Sequence, residues 1–162
     1  MGRRSRRQAV APFAAALVVF TLVAAGCSSD DEGGKGTGGD GGTVEVTVQE
    51  FAILPAVESA PAGELTFDVS NTGPEDIHEF VVFATDLAPD ALPTAADGSV
   101  DEAGEGVELI GEIEDIPVGE TLSTTLSLEA GSYVFICNIV EDEDGETIVH
   151  YQQGMRIGFT VE

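Results

Sequence analysis

Residues 43–162 predict an all-β domain, a Greek-key sandwich or barrel of about seven to eight strands. Three observations lead there. Apolar and polar residues alternate with the period of two of a half-buried strand in most segments. Gly, Pro, Asn and Asp punctuate the chain between those segments. Helical periodicity is nearly absent.

The elements follow in order. Val44, Val46 and Val48 alternate with Glu45, Thr47 and Gln49. Leu65, Phe67 and Val69 alternate next and stop at the turn signal Asn71-Thr72-Gly73-Pro74. Ile77 to Phe83 is a more continuous apolar run, as expected of a central strand. Residues 84–106 hold two internal prolines and many acids, which predicts an excursion loop with one helical turn near Asp90 to Leu92. Val107 to Ile116 contains another strand. Leu122, Thr124, Leu126 and Leu128 alternate up to a turn at Ala130-Gly131. Tyr133 to Ile136 is apolar throughout, and Met155, Ile157, Phe159 and Val161 alternate to the end.

The first 42 residues are of another kind. Arg3, Arg4, Arg6 and Arg7 precede an apolar stretch, Val10 to Ala25. That stretch is shorter than the roughly 20 residues a membrane span needs. A basic start and a short apolar core are those of a secretory signal, here residues 1–26. The stretch ends Ala24-Ala25-Gly26-Cys27, which resembles the bacterial lipobox, although Ala24 stands where a branched aliphatic residue is usual. Cys27 is therefore the expected lipidation site, and the chain is expected on the outer face of the cell membrane, held there by its lipid anchor only. Residues 27–42 then form a tether. From Ser28 on they contain seven Gly and no apolar side chain, so they cannot bury enough surface to offset the entropy of ordering.

Charge narrows the partners. The whole chain carries −24, but all four early arginines lie in the signal. From Cys27 onward only Lys35 and Arg156 oppose 30 acidic residues, a side-chain balance of −28. Nucleic acid and anionic membrane surface would repel such a chain. A partner with a basic docking face would attract it, and a monomer is the expected state. Solubility alone is the other reading of the same charge.

With Met1 and Cys27 assigned to targeting, the remainder contains one Cys, two His and one Met, in the order His78, Cys137, His150, Met155. Two His and a Cys with a weak axial Met form the ligand set of a blue copper electron-transfer site. Each residue also has a structural role open to it. Cys137 could be a small buried hydrophobe, the histidines a core and a surface residue, and Met155 ordinary core. An unpaired thiol in an exported chain nevertheless calls for an explanation.

The surrounding sequence resembles the cupredoxin family. The matching stretches are Asn71-Thr72-Gly73 with Ile77-His78-Glu79-Phe80, Gly131-Ser132-Tyr133-Val134-Phe135-Ile136-Cys137, and His150-Tyr151-Gln152-Gln153-Gly154-Met155 before a last strand ending Phe159-Thr160-Val161. The resemblance implies one copper ion, cycling between Cu(I) and Cu(II), held by His78, Cys137, His150 and Met155. It implies single-electron transfer without enzymatic turnover. Copper storage or delivery with the same ligands is the alternative, and a metal-free adhesion or sensory module a third.

Two features depart from that pattern. Twelve residues, Asn138 to Val149, separate Cys137 from His150, where well-known members have only a few. The insertion holds Glu141-Asp142-Glu143-Asp144-Gly145-Glu146, read as a solvated hairpin turning at Asp144-Gly145. Its charge is expected to favour Cu(II) and lower the reduction potential. Whether this loop closes over the metal, and whether His150 reaches solvent, is open from sequence. The second departure is Glu79, which follows the first ligand where several members place an amide.

Overall fold

The computed structural model describes residues 42–162. The predicted signal, the lipidation site Cys27 and nearly all of the tether lie outside the described residues. Eleven strands and one short helix follow in order: β1 Thr43–Gln49, β2 Ala52–Pro55, β3 Ser59–Ala60, β4 Gly63–Asn71, β5 His78–Ala84, β6 Glu108–Ile116, β7 Thr121–Leu128, β8 Gly131–Ile136, β9 Val140–Glu143, β10 Glu146–Val149, α1 His150–Gln153 and β11 Arg156–Val161. The seven segments read from sequence are β1, β4, β5, β6, β7, β8 and β11. The four added strands have two to four residues each, too short for an alternation to register.

The strands form two sheets, ordered β2-β1-β4-β7 and β3-β11-β8-β5-β6, with β9 and β10 paired only to each other. β1 with β4 and β3 with β11 are parallel, and the other pairings are antiparallel. The chain changes sheet on either side of β3, between β4 and β5, between β6 and β7, and again between β7 and β8. Neighbours distant in sequence, such as β4–β7 and β5–β8, are thereby brought together in Greek-key fashion.

Alternation dictates the core between the sheets. Val44, Val46, Val48, Leu65, Phe67 and Val69 from one sheet meet Phe80, Val82, Phe135, Phe159 and Val161 from the other, all buried. Phe135 is central. Its ring lies 4.9 Å from those of Phe80 and Phe159 and 5.4 Å from Phe67, within the range where tilted and offset aromatic pairs attract.

The continuous apolar run of β5 has a physical reason. The odd members of the strand face a second cluster on the outside of the sheet, where Val81, Phe83, Val134 and Ile136 pack with Leu92, Val100, Val149 and Tyr151. The 85–107 excursion is thus a cover for the outer face. It contains a backbone-bonded turn from Ala88 to Ala91 and a bridge between Thr94 and Val100, and not the helical turn expected near Asp90 to Leu92. Pro93 ends that stretch: it lacks the amide that would continue a helix, and its ring disfavours helical backbone at Leu92.

Tyr151 joins this cover to α1. Its hydroxyl donates to the Pro89 carbonyl at 2.9 Å and accepts from the Leu92 amide at 3.2 Å. Arg156 donates to the Tyr151 carbonyl at 2.5 Å, and its guanidinium lies 5.0 Å from the ring centroid. Tyr151→Phe keeps the ring but strands a buried amide and a carbonyl. The expected loss is about 1–3 kcal/mol, read as a lower denaturant midpoint at unchanged slope.

Candidate metal centre

His78 opens β5 and is fully buried, while its neighbour Ile77, read as strand, lies outside it and is 45% exposed. The bend into β5 is set by Asn71. Its side-chain amide donates to the carbonyls of Asp76 (2.8 Å) and Ile116 (2.9 Å), and its Oδ1 accepts from the Gly73 amide (2.8 Å). The Asn71-Thr72-Gly73 turn is therefore a clamp that fixes the approach to His78.

Cys137 follows β8 directly and is fully buried. Its Sγ accepts from the Glu79 amide at 3.4 Å, while the Glu79 carboxylate accepts from the Asn138 amide at 2.6 Å. Glu79 thus ties the two ligand strands together from both of its ends. Which group donates to the sulfur was not legible in sequence, and it is this amide. Burial pushes the Glu79 carboxyl up to about 7, against the lowering effect of the Asn138 amide. Asn138 turns outward to the cover, accepting from the Val100 amide at 2.6 Å.

His150 and Met155 come from α1 and the residue before β11, both fully buried. The helix was not foreseen. His150 to Gln153 form one helical turn closed by Gly154 at φ 123°. That backbone conformation requires Gly. The near neighbour of a Cβ there would be the Phe51 carbonyl at 3.4 Å. The Met155 amide donates to the His150 carbonyl, and the Met155 carbonyl accepts from the Cys137 amide, both at 3.1 Å. Met155 is thereby fixed against both Cys137 and His150, within the same buried cluster as Cys137.

The donor atoms converge. His150 Nδ1 lies 3.3 Å from Cys137 Sγ and 3.3 Å from His78 Nδ1, and His78 Nδ1 lies 3.9 Å from Sγ. Bonds of about 2.0 Å to nitrogen and 2.3 Å to sulfur around one trigonal ion place such atoms roughly 3.5–3.8 Å apart. The three donors therefore fit one first-row ion with little movement. The four predicted residues are clustered like the ligands of a type 1 copper site.

The electrostatics fit a cation as well. Burial, then the neighbouring His150, holds His78 below the ordinary imidazole value and so keeps it neutral. Burial pushes the Cys137 thiol up to about 12, although the Glu79 and Ile139 amides act in the opposite direction. A buried thiol of this kind loses its proton when a metal displaces it.

Carboxylates missed in the sequence reading stand behind both imidazoles. Glu141 Oε1 is 2.8 Å from His150 Nε2. Glu50 Oε1 is 3.7 Å from His78 Nε2 and accepts from the amides of Glu75 and Asp76 at 3.1 and 2.6 Å. Burial raises Glu50, but these amide bonds outweigh it and leave the carboxyl below its usual value. Glu50 follows β1 with no distinguishing pattern. Glu141 was counted with a solvated acid run, and in the structure it is turned inward to a ligand. The turn at Asp144-Gly145 is as expected, with φ of 51° and 89°. The open question about His150 is also answered: it is 0% exposed, covered by Glu141 and by Phe51, whose ring centroid is 5.2 Å away.

No family model matches the chain, and no curated protein matches it. Among solved structures, it is similar to a dithionite-reduced auracyanin from the photosynthetic bacterium Roseiflexus castenholzii (TM-score 0.49, 20% identity, 74% of this chain and 96% of that one). It is similar to auracyanin A, a "blue" copper protein from Chloroflexus aurantiacus (TM-score 0.49, 20% identity, 75% and 100%). Rusticyanin from Thiobacillus ferrooxidans is a third (TM-score 0.48, 19% identity, 74% and 77%). Two mixed sheets carry the four residues on β5, at the end of β8 and on the α1–β11 connection, as the resemblance in sequence implied. The fold is the all-β sandwich that the sequence predicts. In this domain the β9–β10 hairpin brings a carboxylate onto the second imidazole.

Proposed function

We propose that this is a type 1 copper protein that carries single electrons outside the cytoplasm, tethered to the membrane through a lipid on Cys27. The observation that carries the reading is the convergence of two imidazole nitrogens and one thiol in a fully buried site. A thiolate and a thioether select copper among the ions that imidazole also suits. The bound ion would supply one-electron redox chemistry.

The protein's own part is geometric. β5 and β8 are central, hydrogen-bonded strands, so His78 and Cys137 sit on rigid mounts. The Tyr151 hydroxyl anchors the helix that carries His150. Ligands held this way move little when the charge at the centre changes, which favours fast electron exchange. All four are buried, so water is kept from the centre. His78, Cys137, His150 and Met155 would all be taken up by one ion, and such a closed ligand set suits a carrier of electrons.

Export and lipidation rest on the Arg-rich start, the short apolar stretch and Ala25-Gly26-Cys27. A basic redox partner and a monomeric state rest on the acidic surface. Among the described residues no helix is long and apolar enough to cross a membrane.

Adding Cu(II) to the metal-free protein is expected to produce one equivalent of intense visible absorption, bleached by a reductant and restored by an oxidant over repeated cycles. Rapid surrender of copper to a mild chelator would favour storage or delivery. Absence of colour would leave a β-sandwich without this role. The intact mass of membrane-extracted protein checks the acyl chains on Cys27.

A further inference from the structure

We propose that Glu141 is a positioning residue that fixes the tautomer of His150 and so directs its Nδ1 lone pair at the metal centre. The proposal rests on the copper reading for its consequence but not for its geometry. An ionised carboxylate only accepts hydrogen bonds. At 2.8 Å, Glu141 Oε1 therefore requires the proton to be on His150 Nε2. In a neutral imidazole the other nitrogen is then unprotonated. That nitrogen, Nδ1, is the one 3.3 Å from both Cys137 Sγ and His78 Nδ1.

The two histidines differ in this respect. His78 Nε2 is buried without a hydrogen-bond partner, and Glu50 at 3.7 Å is too far to accept from it. His78 is placed by its strand, whereas His150 stands on a single turn of helix and is oriented by its neighbours. The groups that face its ring are Glu141 at Nε2, Cys137 Sγ and His78 Nδ1 at Nδ1, the Phe51 ring at its edge, and Asp76 in the cluster it forms with Glu141, while the Ile139 carbonyl accepts from its backbone amide at 3.0 Å. Only Glu141 is hydrogen-bonded to Nε2, and the other two, Cys137 and His78, meet the ring at the nitrogen that faces the centre. The same bond holds β9, a strand paired to nothing but β10, against the centre.

This differs from the diffuse effect expected of the acid run. Partners of ligating histidines commonly change metal affinity by roughly 10- to 100-fold when removed. A diffuse effect would be shared by Glu143, which is exposed on the same strand.

The test compares Glu141→Ala, Glu141→Gln and Glu143→Gln in the full chain. Long-range proton–nitrogen NMR of the metal-free protein reads the tautomer directly, and competition with a copper chelator reads affinity. His150 in the parent is expected as a single Nε2-protonated form. Glu141→Ala should mix the tautomers and weaken copper binding by roughly 10- to 100-fold. Glu141→Gln retains an accepting oxygen and should keep the tautomer, and Glu143→Gln should match the parent. A Glu141→Ala protein with the parent's tautomer and affinity would overturn the proposal. So would Glu141→Gln as impaired as Glu141→Ala, or Glu143→Gln equally weakened, since either assigns the effect to charge alone. If the parent takes up no copper, the functional reading fails, while the tautomer comparison still decides the role of Glu141.

Discussion

Cys137→Ser is expected to abolish the intense visible absorption given by Cu(II) and to leave a folded sandwich. The colour requires a thiolate bonded to the metal, and among the described residues Cys137 is the only cysteine. Serine offers a hard, hardly ionised oxygen in place of a soft anion, so both the chromophore and the preference for copper disappear. His78 and His150 remain, so weak, colourless binding of Cu(II) is the expected remnant. The fold should survive because the change swaps one atom in a site already lined by the Glu79 amide, which can donate to an oxygen as it does to Sγ. A loss of stability of about 1 kcal/mol is expected. Absorption and thermal melting of the same samples separate the two effects. Retained colour in Cys137→Ser would move the metal elsewhere and end the type 1 reading.

The strands that the sequence revealed are those long enough to alternate. β1, β4 and β11 bury one face and leave the other more exposed, so the period of two is written in Val44 to Val48 and in Leu65 to Val69. β5 did not alternate because the 85–107 cover buries its outer face too. The four candidate ligands were legible because few other side chains offer soft or imidazole donors. Their support was not. Glu141 looked like one acid among several, and its inward turn depends on the register of β9 with β10, where Ile148 pairs with Glu141. Glu50 acts through a contact with residues 75 and 76, distant in sequence. Tyr151 matters through Pro89 and Leu92, some 60 positions upstream. Contacts of this range leave no local pattern in one sequence.

Phe135→Ala should be the most damaging substitution in the core, and copper should partly offset it. Phe135 is fully buried and makes close ring contacts with Phe67, Phe80 and Phe159, which belong to both sheets. Truncating a buried Phe to Ala costs about 3–5 kcal/mol. A domain of this size has only about 5–15 kcal/mol in total, so the metal-free variant should be partly unfolded at room temperature or close to it. Phe135 also stands two residues before Cys137 on β8, pointing to the same face. A cavity there loosens the mount of the thiol as well as the core. An ion that binds only the folded chain stabilises by mass action, by about 4 kcal/mol at a thousandfold excess over its dissociation constant. Added Cu(II) should therefore raise the denaturant midpoint of Phe135→Ala by nearly as much as it raises that of the parent. A variant that recovers nothing with copper would show that the site cannot assemble on a weakened β8. A variant that needs no rescue would show that the aromatic cluster matters less than its burial implies. Either result is read from denaturation curves with and without the metal, because both effects act on one equilibrium between the folded and unfolded chain.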